Sequence, residues 1–455
     1  MNNLWLSEAA ESLQAKQIGK DVCFSSVSTD TRTLKPGDFY VALSGPRFDG
    51  HHFIEQAFDK GAVAAMVSDT NFNGIPLLQV ADTRSGLGRL AGVWRGRFEV
   101  PLVAITGSNG KTTVKELLAA ILRVQGRVLA TQGNLNNDVG LPLTLLKLQD
   151  EHCAVVEMGA NHPGEIGYLS QIACPDVALI NNAGAAHLEG FGDLAGVARA
   201  KGEILFGLKH SGIAVLNADD DYFPLWCEYA GERRILSFGA SPRADVQGDL
   251  DQAEMRWAKQ GFLNHMLVHY QGECFEVQLS LAGRHNLMNA LAAIAAALAM
   301  KCSVEEIQKG LASVGAVDGR LQLMISPAGY RLIDDSYNAN PDSVGAAIEV
   351  LQSAPGERYL VLGDLAELGT HSSDWHAEIG RRAKQAGLDH LYGLGTLSRY
   401  AVESFGIGGE SFSELNELLD VLSETAHSGD VVLIKGSRSA GMERVVRCLM
   451  DEGRD

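Results

Sequence analysis

Apolar positions in this chain follow two alternating rhythms. Short unbroken apolar runs, the mark of strands buried on both faces, recur at 102–105, 154–156, 177–180 and 213–216. Between the first two lies a stretch with helical spacing, in which Val114, Leu117, Leu118, Ile121 and Leu122 share one face. Such alternation predicts a mainly parallel sheet with helices on both sides. The segment closes with a predicted helix carrying Leu287, Leu291, Ile294 and Leu298 at spacings of 4, 3 and 4.

The flanks repeat the theme on a smaller scale. Residues 1–97 combine β-like runs at 38–42 and 63–67 with helical stretches at 53–60 and 87–98. After about residue 315 strands are predicted at 331–333, 359–362, 390–394 and 431–434, with helices near 342–352, 375–386 and 440–450. A chain of 455 residues is too long for one hydrophobic core. The pattern therefore predicts an α/β protein of three domains, at 1–97, 98–314 and 315–455. The sequence holds no internal repeat or low-complexity tract.

Charge and composition remove several function classes. The formal net charge is −18, which disfavours nucleic-acid backbones and anionic membranes as partners. An anionic small-molecule substrate would need local help from helix N-termini, isolated arginines or a metal ion. No apolar run reaches the roughly 18 residues of a membrane span. The longest, at 290–300, is alanine-rich and reads as a packed helix. Early acids at Glu8 and Glu11 and the lack of a basic leader argue against a secretory signal. Seven scattered cysteines without a C-x-x-C pair read as reduced thiols of a cytosolic protein. The 50 glycines exceed the usual share and suggest loops in which backbone approaches a ligand.

The sharpest local motif runs from Thr106 through Gly107, Ser108, Asn109, Gly110, Lys111, Thr112 and Thr113, between a predicted strand and a predicted helix. Glycines let backbone N–H groups turn toward phosphate oxygens, and the helix dipole adds positive potential. Lys111 would reach the β- and γ-phosphates of a nucleoside triphosphate, and the Thr112 hydroxyl would ligate Mg²⁺. The motif is a shortened G-x-x-G-K-T version of the usual phosphate loop. Alone it indicates a nucleotide and no particular chemistry.

Glu157 ends the next apolar run, where ligands bind in open α/β sheets, and is a candidate Mg²⁺ ligand or else a strand-end surface acid. His187 follows a third run and either faces the metal or is structural. Lys201, taken alone, reads as a surface lysine.

Several blocks together resemble the Mur ligases of bacterial peptidoglycan synthesis. They are TGSNGKTTVKE (106–116), GNLNNDVGLPLTLL (133–146), EMGANHPGEI (157–166), NNAGAAHLEGFG (181–192), GRHNLMNALAA (283–293), DGRLQ (318–322), DDSYNANPDS (334–343), LGDLAELG (362–369) and KGSRSAGME (435–443). They fall in family order across the second and third predicted domains, while the first domain matches more loosely. LGDLAELG and DDSYNANPDS stand where the member adding diaminopimelate or lysine carries D-N-P-R, which points to the branch that adds a dipeptide. The acid run Asp219-Asp220-Asp221 departs from the pattern, and no role is attached to it.

The resemblance implies an N-terminal domain holding the UDP end of the substrate, a central ATPase-like phosphate-loop domain and a C-terminal Rossmann-like domain, with catalysis between the last two. It implies ATP and Mg²⁺ as cofactors, UDP-N-acetylmuramoyl-tripeptide and D-alanyl-D-alanine as substrates, and a monomeric cytoplasmic enzyme. It matches Thr31 and Arg32 to uridine-diphosphate contacts. An arginine fork also suits phosphate on an acidic protein, although a surface ion pair is the plain alternative. Lys201 becomes a site for CO₂ addition, giving a carbamate that holds Mg²⁺ with His187 and Glu157. Asn286 and Asn289 match positions near the adenine, and Asn286 also reads as a helix N-cap. Arg320 matches a γ-phosphate contact, and Asp335 a nucleotide contact. Tyr337, Asn338, Ser437 and Arg438 fall where the incoming dipeptide would bind. Asn134 and Asn137 would touch the muramoyl-peptide or simply form an asparagine-rich turn.

The implied reaction is activation of a carboxylate as an acyl phosphate, with Lys111, Arg320 and Mg²⁺ neutralising charge, followed by attack of an amine. The alternatives are another Mur-type or folylpolyglutamate-synthase-like amide ligase, separable by its acceptor, and a nucleotide-driven switch, which would need no acceptor amine.

Overall fold

The computed structural model describes residues 3–45, 48–69, 72, 74–185, 188–258 and 261–451. His187 lies outside the described residues.

The N-terminal unit starts with helix α1 (Leu6–Leu13), which packs its Leu6, Ala9, Ala10 and Leu13 face inward. Its sheet comprises β1 (Lys16–Ile18), β2 (Ser26–Ser28), β3 (Asp38–Val41), β4 (Ala64–Val67) and β5 (Leu77–Gln79), in the order β1-β5-β4-β3-β2. Only β1 runs antiparallel to its neighbour. Helix α2 (Ile54–Asp59) precedes β4. Helix α3 (Thr83–Arg95) begins four residues before the predicted 87–98, because Asp82 caps it by accepting from the Ser85 N–H at 2.6 Å.

In the central unit, β6 (Leu102–Thr106) leads through the phosphate loop into α4 (Lys111–Arg123). There follow β7 (Val128–Ala130), α5 (Gly140–Leu145), β8 (Cys153–Glu157), α6 (Glu165–Ala173), β9 (Val177–Ile180), α7 (Leu194–Gly202), β10 (Ile213–Asn217), α8 (Phe223–Ala230), β11 (Arg234–Gly239) and β12 (Val246–Gly248). The order β7-β8-β6-β9-β10-β11-β12 is parallel throughout. The sheet then continues into an antiparallel extension the sequence does not predict, in which β14 (Gly261–Tyr270) pairs with β12 and also with β13 (Glu254–Ala258) and β15 (Glu273–Leu279). Helices α9 (Arg284–Ala299) and α10 (Val304–Ala312) close the unit.

The C-terminal unit is a six-stranded sheet, β16 (Gln322–Ile325), β17 (Arg331–Asp335), β18 (Arg358–Gly363), β19 (His390–Leu394), β20 (Gly409–Phe412) and β21 (Val431–Lys435). Its order is β16-β17-β21-β18-β19-β20, parallel except for β16. Helices α11 (Pro341–Gln352), α12 (Ser372–Gln385), α13 (Ser398–Phe405), α14 (Leu415–Thr425) and α15 (Glu443–Met450) cover it.

The cores are distributed unevenly. One apolar cluster runs without a break from the N-terminal unit (Leu6, Phe39, Met66, Leu90, Trp94) into the central one (Leu141, Val156, Ile166). The Trp94 indole N–H reaches across to the Leu148 carbonyl at 3.0 Å, and the buried Arg95 donates to the Ala173 carbonyl at 3.1 Å. The C-terminal sheet has cores of its own on both faces, to which the central unit lends only Phe262 and Ala282 as fully buried members. Among the described residues no helix is long and apolar enough to cross a membrane, and all seven cysteines are free thiols.

Candidate active site

A cavity of about 980 Å³ lies between the central and C-terminal sheets. Its lining includes Ser108 to Thr113, Asn134, Asn137, Glu157, Asn286, Asn289, Arg320, Asp335, Tyr337, Asn338, Ser437 and Arg438. Most of the residues singled out in the sequence thus meet in one place. Thr31 and Arg32 are not part of this lining. The Thr31 hydroxyl donates to Gln56 at 3.0 Å, and Arg32, 87% exposed, pairs with Asp30 at 2.7 Å.

The phosphate loop takes its shape from β6, from α4 and from a set of asparagines. No side chain caps α4, so the N–H groups of its first turn face the cleft as anion donors. Gly110 sits at φ 78°, and a Cβ there would lie 2.1 Å from Asn289 Oδ1 and 2.6 Å from Asn181 Nδ2. Glycine is required on both counts. Asn286 donates to the Ala282 carbonyl (2.8 Å), Asn289 to Asn286 Oδ1 (3.0 Å), and Asn181 to both Asn289 Oδ1 (2.9 Å) and the Asn109 carbonyl (2.9 Å). Asn182 Oδ1 accepts from the Asn109 N–H at 2.8 Å. This relay corrects the capping role expected of Asn286: Gly283 holds the N-cap position of α9, and Asn286 is the helix's third residue.

At the foot of the loop, Lys111 folds back so that Nζ donates to the carbonyl of Gly107 at 2.7 Å. Desolvation, with Arg320 nearby, holds its ammonium below the usual lysine range, against the pull of Glu157. The Thr112 hydroxyl donates to Glu157 Oε2 at 2.9 Å and accepts from Arg320 Nη2 at 3.1 Å. Asn136 donates to Glu157 Oε1 at 2.8 Å, and the Glu157 N–H donates to the Thr131 hydroxyl at 3.0 Å. Asn137 is committed to its own turn, accepting from the Gly140 N–H at 2.8 Å.

Lys201 on α7 is not a surface residue. It is 1% exposed, and its Nζ lies 5.3 Å from the centre of the Phe191 ring. Burial, assisted by repulsion from Lys111, pushes the amine down to about 7. A neutral amine at physiological pH is a nucleophile, which is what CO₂ addition requires. Lys201 is not among the lining residues. Among the described residues no set of three His, Cys, Asp or Glu side chains is placed to hold a metal. A hydroxyl beside a carboxylate, completed by phosphate oxygens, is nevertheless a donor set that suits Mg²⁺.

The C-terminal unit presses on the loop at two points and on the adjoining 183–185 segment at a third. Besides Arg320, the Asn340 amide donates to Asn109 Oδ1 at 2.7 Å, and Asp342 accepts from the Ala185 N–H at 3.0 Å. Asp335 is buried against Lys435 at 2.5 Å and accepts from the Leu321 N–H at 3.3 Å. Lys435 also donates to the Asn338 carbonyl at 3.1 Å. The Arg320 guanidinium lies over the Tyr337 ring at 4.7 Å, and that of Arg438 approaches it at 5.6 Å. The Ser437 hydroxyl donates to the Asp364 carbonyl at 2.6 Å. His285 lines the cleft with a buried Nδ1 lacking a partner, and burial together with Lys435 lowers it to about 4.

Sequence reasoning missed Asn136, Asn340, Asp342 and Lys435. Lys435 ends a parallel strand, so the rule that selected Glu157 would have found it. The acid run also has work in the structure. Asp219 accepts from the N–H groups of Ala240 (2.6 Å) and Ser241 (3.0 Å), while Asp220 accepts from those of Ala183 and Tyr222 (2.8 and 2.9 Å). Asp220 thereby fixes the segment whose Gly184 exchanges hydrogen bonds with Ser108 of the phosphate loop.

Comparison with known proteins gives concordant results. The chain matches the Mur ligase middle domain over residues 105–297, the Mur ligase glutamate ligase domain over 319–438 and the Mur ligase family catalytic domain over 24–89. It is 43% identical to the UDP-N-acetylmuramoyl-tripeptide–D-alanyl-D-alanine ligase of Escherichia coli, with all of both chains covered. A crystal structure of MurF from Acinetobacter baumannii superposes with a TM-score of 0.92 at 36% identity, covering 99% of each chain. MurF from Thermotoga maritima in complex with ADP superposes with a TM-score of 0.85 at 31% identity, covering 93% of this chain and 97% of that one.

Proposed function

The chain belongs to the Mur ligase family, and on that premise we propose its reaction in full. It is an ATP-dependent amide ligase that joins D-alanyl-D-alanine to UDP-N-acetylmuramoyl-tripeptide in peptidoglycan synthesis. The observation that carries the mechanism is the convergence of Lys111, Thr112, Glu157 and Arg320 from two domains on one phosphate-binding loop.

A carboxylate resists nucleophiles because it is anionic and would have to expel oxide. Attack of the tripeptide carboxylate oxygen on the γ-phosphorus forms a P–O bond, expels ADP and gives an acyl phosphate. The dipeptide amine then attacks that carbonyl carbon, loses a proton, and phosphate leaves. Two anions meet in the first step, inside a protein of net charge −18. Lys111, the fork of Arg320 and the open N-terminus of α4 supply the opposing charge. Mg²⁺, when bound, would be held by Thr112 and Glu157 and would polarise the transferring phosphate.

Within this reading, residues 1–97 hold the UDP end through Thr31 and Arg32, 98–314 bind ATP, and 315–455 present the dipeptide through Tyr337, Asn338, Ser437 and Arg438. Asn286 and Asn289 face the base, and Asp335 the ribose. The neutral Lys201 amine would add to CO₂, forming a C–N bond and releasing a proton, and the carbamate would offer a further oxygen ligand to Mg²⁺. In this reading the enzyme works as a monomer in the cytoplasm. Mass spectrometry after incubation with ATP, the tripeptide nucleotide and D-alanyl-D-alanine tests the whole scheme. A product heavier by one dipeptide less water is expected; ATP hydrolysis without such a product overturns it.

A further inference from the structure

Two guanidinium groups approach the ring of Tyr337, one from each side of the proposed reaction. The Arg320 guanidinium lies 4.7 Å from the ring centre, and the same side chain donates to Thr112 of the phosphate loop. Arg438 approaches the ring at 5.6 Å; it is 64% exposed, pairs with Glu443 at 3.5 Å, and its backbone N–H donates to Asn338 Oδ1 at 3.3 Å. The backbone ties the same parts together. The Tyr337 N–H donates to the Gly319 carbonyl at 3.2 Å, and Gly319, at φ 69°, lets the tyrosine Cβ region pack directly on the turn preceding Arg320.

An aromatic face attracts a guanidinium electrostatically and spaces two of them apart, so the ring fixes where each fork points. We propose that Tyr337 is a positioning residue that couples Arg438, on the acceptor side of the cleft, to Arg320, on the phosphate side, through its ring and not through its hydroxyl. Capture of the dipeptide carboxylate by Arg438 would then favour the ring position that holds Arg320 on the loop. The inference rests on the ligase reading above.

The test uses the full-length enzyme and compares Tyr337→Phe, Tyr337→Leu, Arg438→Ala and the double variant Tyr337→Leu/Arg438→Ala. Tyr337→Phe keeps the ring and is expected to keep the coupling between dipeptide and ATP, read as the change in ATP affinity on adding dipeptide, whatever its own KM for the dipeptide becomes. Tyr337→Leu is expected to lose about tenfold in kcat. In wild type and Tyr337→Phe, saturating D-alanyl-D-alanine should tighten the apparent affinity for ATP; in Tyr337→Leu that effect should vanish. Adding Arg438→Ala to Tyr337→Leu should cost less than Arg438→Ala costs alone. A Tyr337→Phe variant that loses the dipeptide effect on ATP affinity as Tyr337→Leu does, or fully additive losses in the double variant, would overturn the proposal. A wild-type enzyme that forms no dipeptide adduct would instead overturn the underlying reaction.

Discussion

Arg320 and Thr112 lie 208 residues apart in the chain, yet the guanidinium of one donates to the hydroxyl of the other at 3.1 Å across the domain boundary. That hydroxyl in turn donates to Glu157, so one C-terminal arginine is linked to the loop and to the strand-end acid together. In the proposed mechanism Arg320 is poised where negative charge gathers during transfer. Arg320→Ala is expected to lower kcat by about 10²–10³, the usual cost of removing one preorganised donor to a transition state. Arg320→Lys should recover only part of this, because a point charge does not reproduce the fork. Steady-state ligation assays check both, and a kcat within threefold of wild type in Arg320→Ala would remove Arg320 from the mechanism.

Gly110 makes a second, purely steric prediction. A methyl group there meets Asn289 and Asn181 well inside contact distance and adopts a left-handed backbone. Gly110→Ala should destabilise the protein by about 1–3 kcal/mol and abolish ATP binding. Thermal unfolding and nucleotide titration read the two effects, and unchanged ATP affinity would contradict the loop geometry.

Asn340 has two tasks that substitution can separate. Its Oδ1 accepts from the Ser343 N–H at 2.9 Å and caps α11, while its Nδ2 reaches Asn109 of the phosphate loop. Asn340→Ser keeps a good cap on a side chain too short to span the cleft. Stability should stay within about 0.5 kcal/mol, while KM for ATP rises several-fold. Asn340→Ala should lose both tasks, at about 1 kcal/mol of stability. Equal ATP KM values for wild type and Asn340→Ser would show that the contact across the cleft does not matter.

Lys201 gives the protein a pH signature. Its amine titrates near 7 in the folded state, against an ordinary 10.5 when unfolded. Between those values the unfolded chain binds a proton that the folded chain does not, so stability contributed through this group rises with pH across that window. The slope is at most about 1.4 kcal/mol per pH unit. In CO₂-depleted buffer, urea unfolding at pH 7, 8 and 9 should show a steeper rise for wild type than for Lys201→Met. Parallel lines for the two proteins would place the charge elsewhere. Lys201→Ala should also abolish ligation while leaving the fold and substrate binding intact, and a fully active variant would end the carbamate reading.

The parallel strands were legible because burial on both faces writes them as continuous apolar runs: β6, β8, β9 and β10 fall where the sequence puts them. The antiparallel extension escaped because β14 is buried only on alternate residues, leaving Asn264 and His265 inside a strand that reads as polar. The phosphate loop was legible for a different reason, since its chemistry lies within eight consecutive residues. The asparagine relay was not, because Asn109, Asn181, Asn289 and Asn340 come from separate elements, and an isolated asparagine says nothing about which partner it will meet. Lys201 shows the limit from the other side: its burial comes from tertiary packing that periodicity around 194–202 does not reveal.

The apolar cluster that joins the N-terminal and central units has a consequence for substrate length. Two sheets fused through one interior cannot change their separation without breaking that interior. If, as proposed, the substrate is anchored near Thr31 and Arg32 at one end and reacts beside Lys111 at the other, it is measured against a fixed gauge. A peptide one residue short would leave its carboxylate stranded outside striking distance of the phosphate, and selection by length would need no residue that reads the missing side chain.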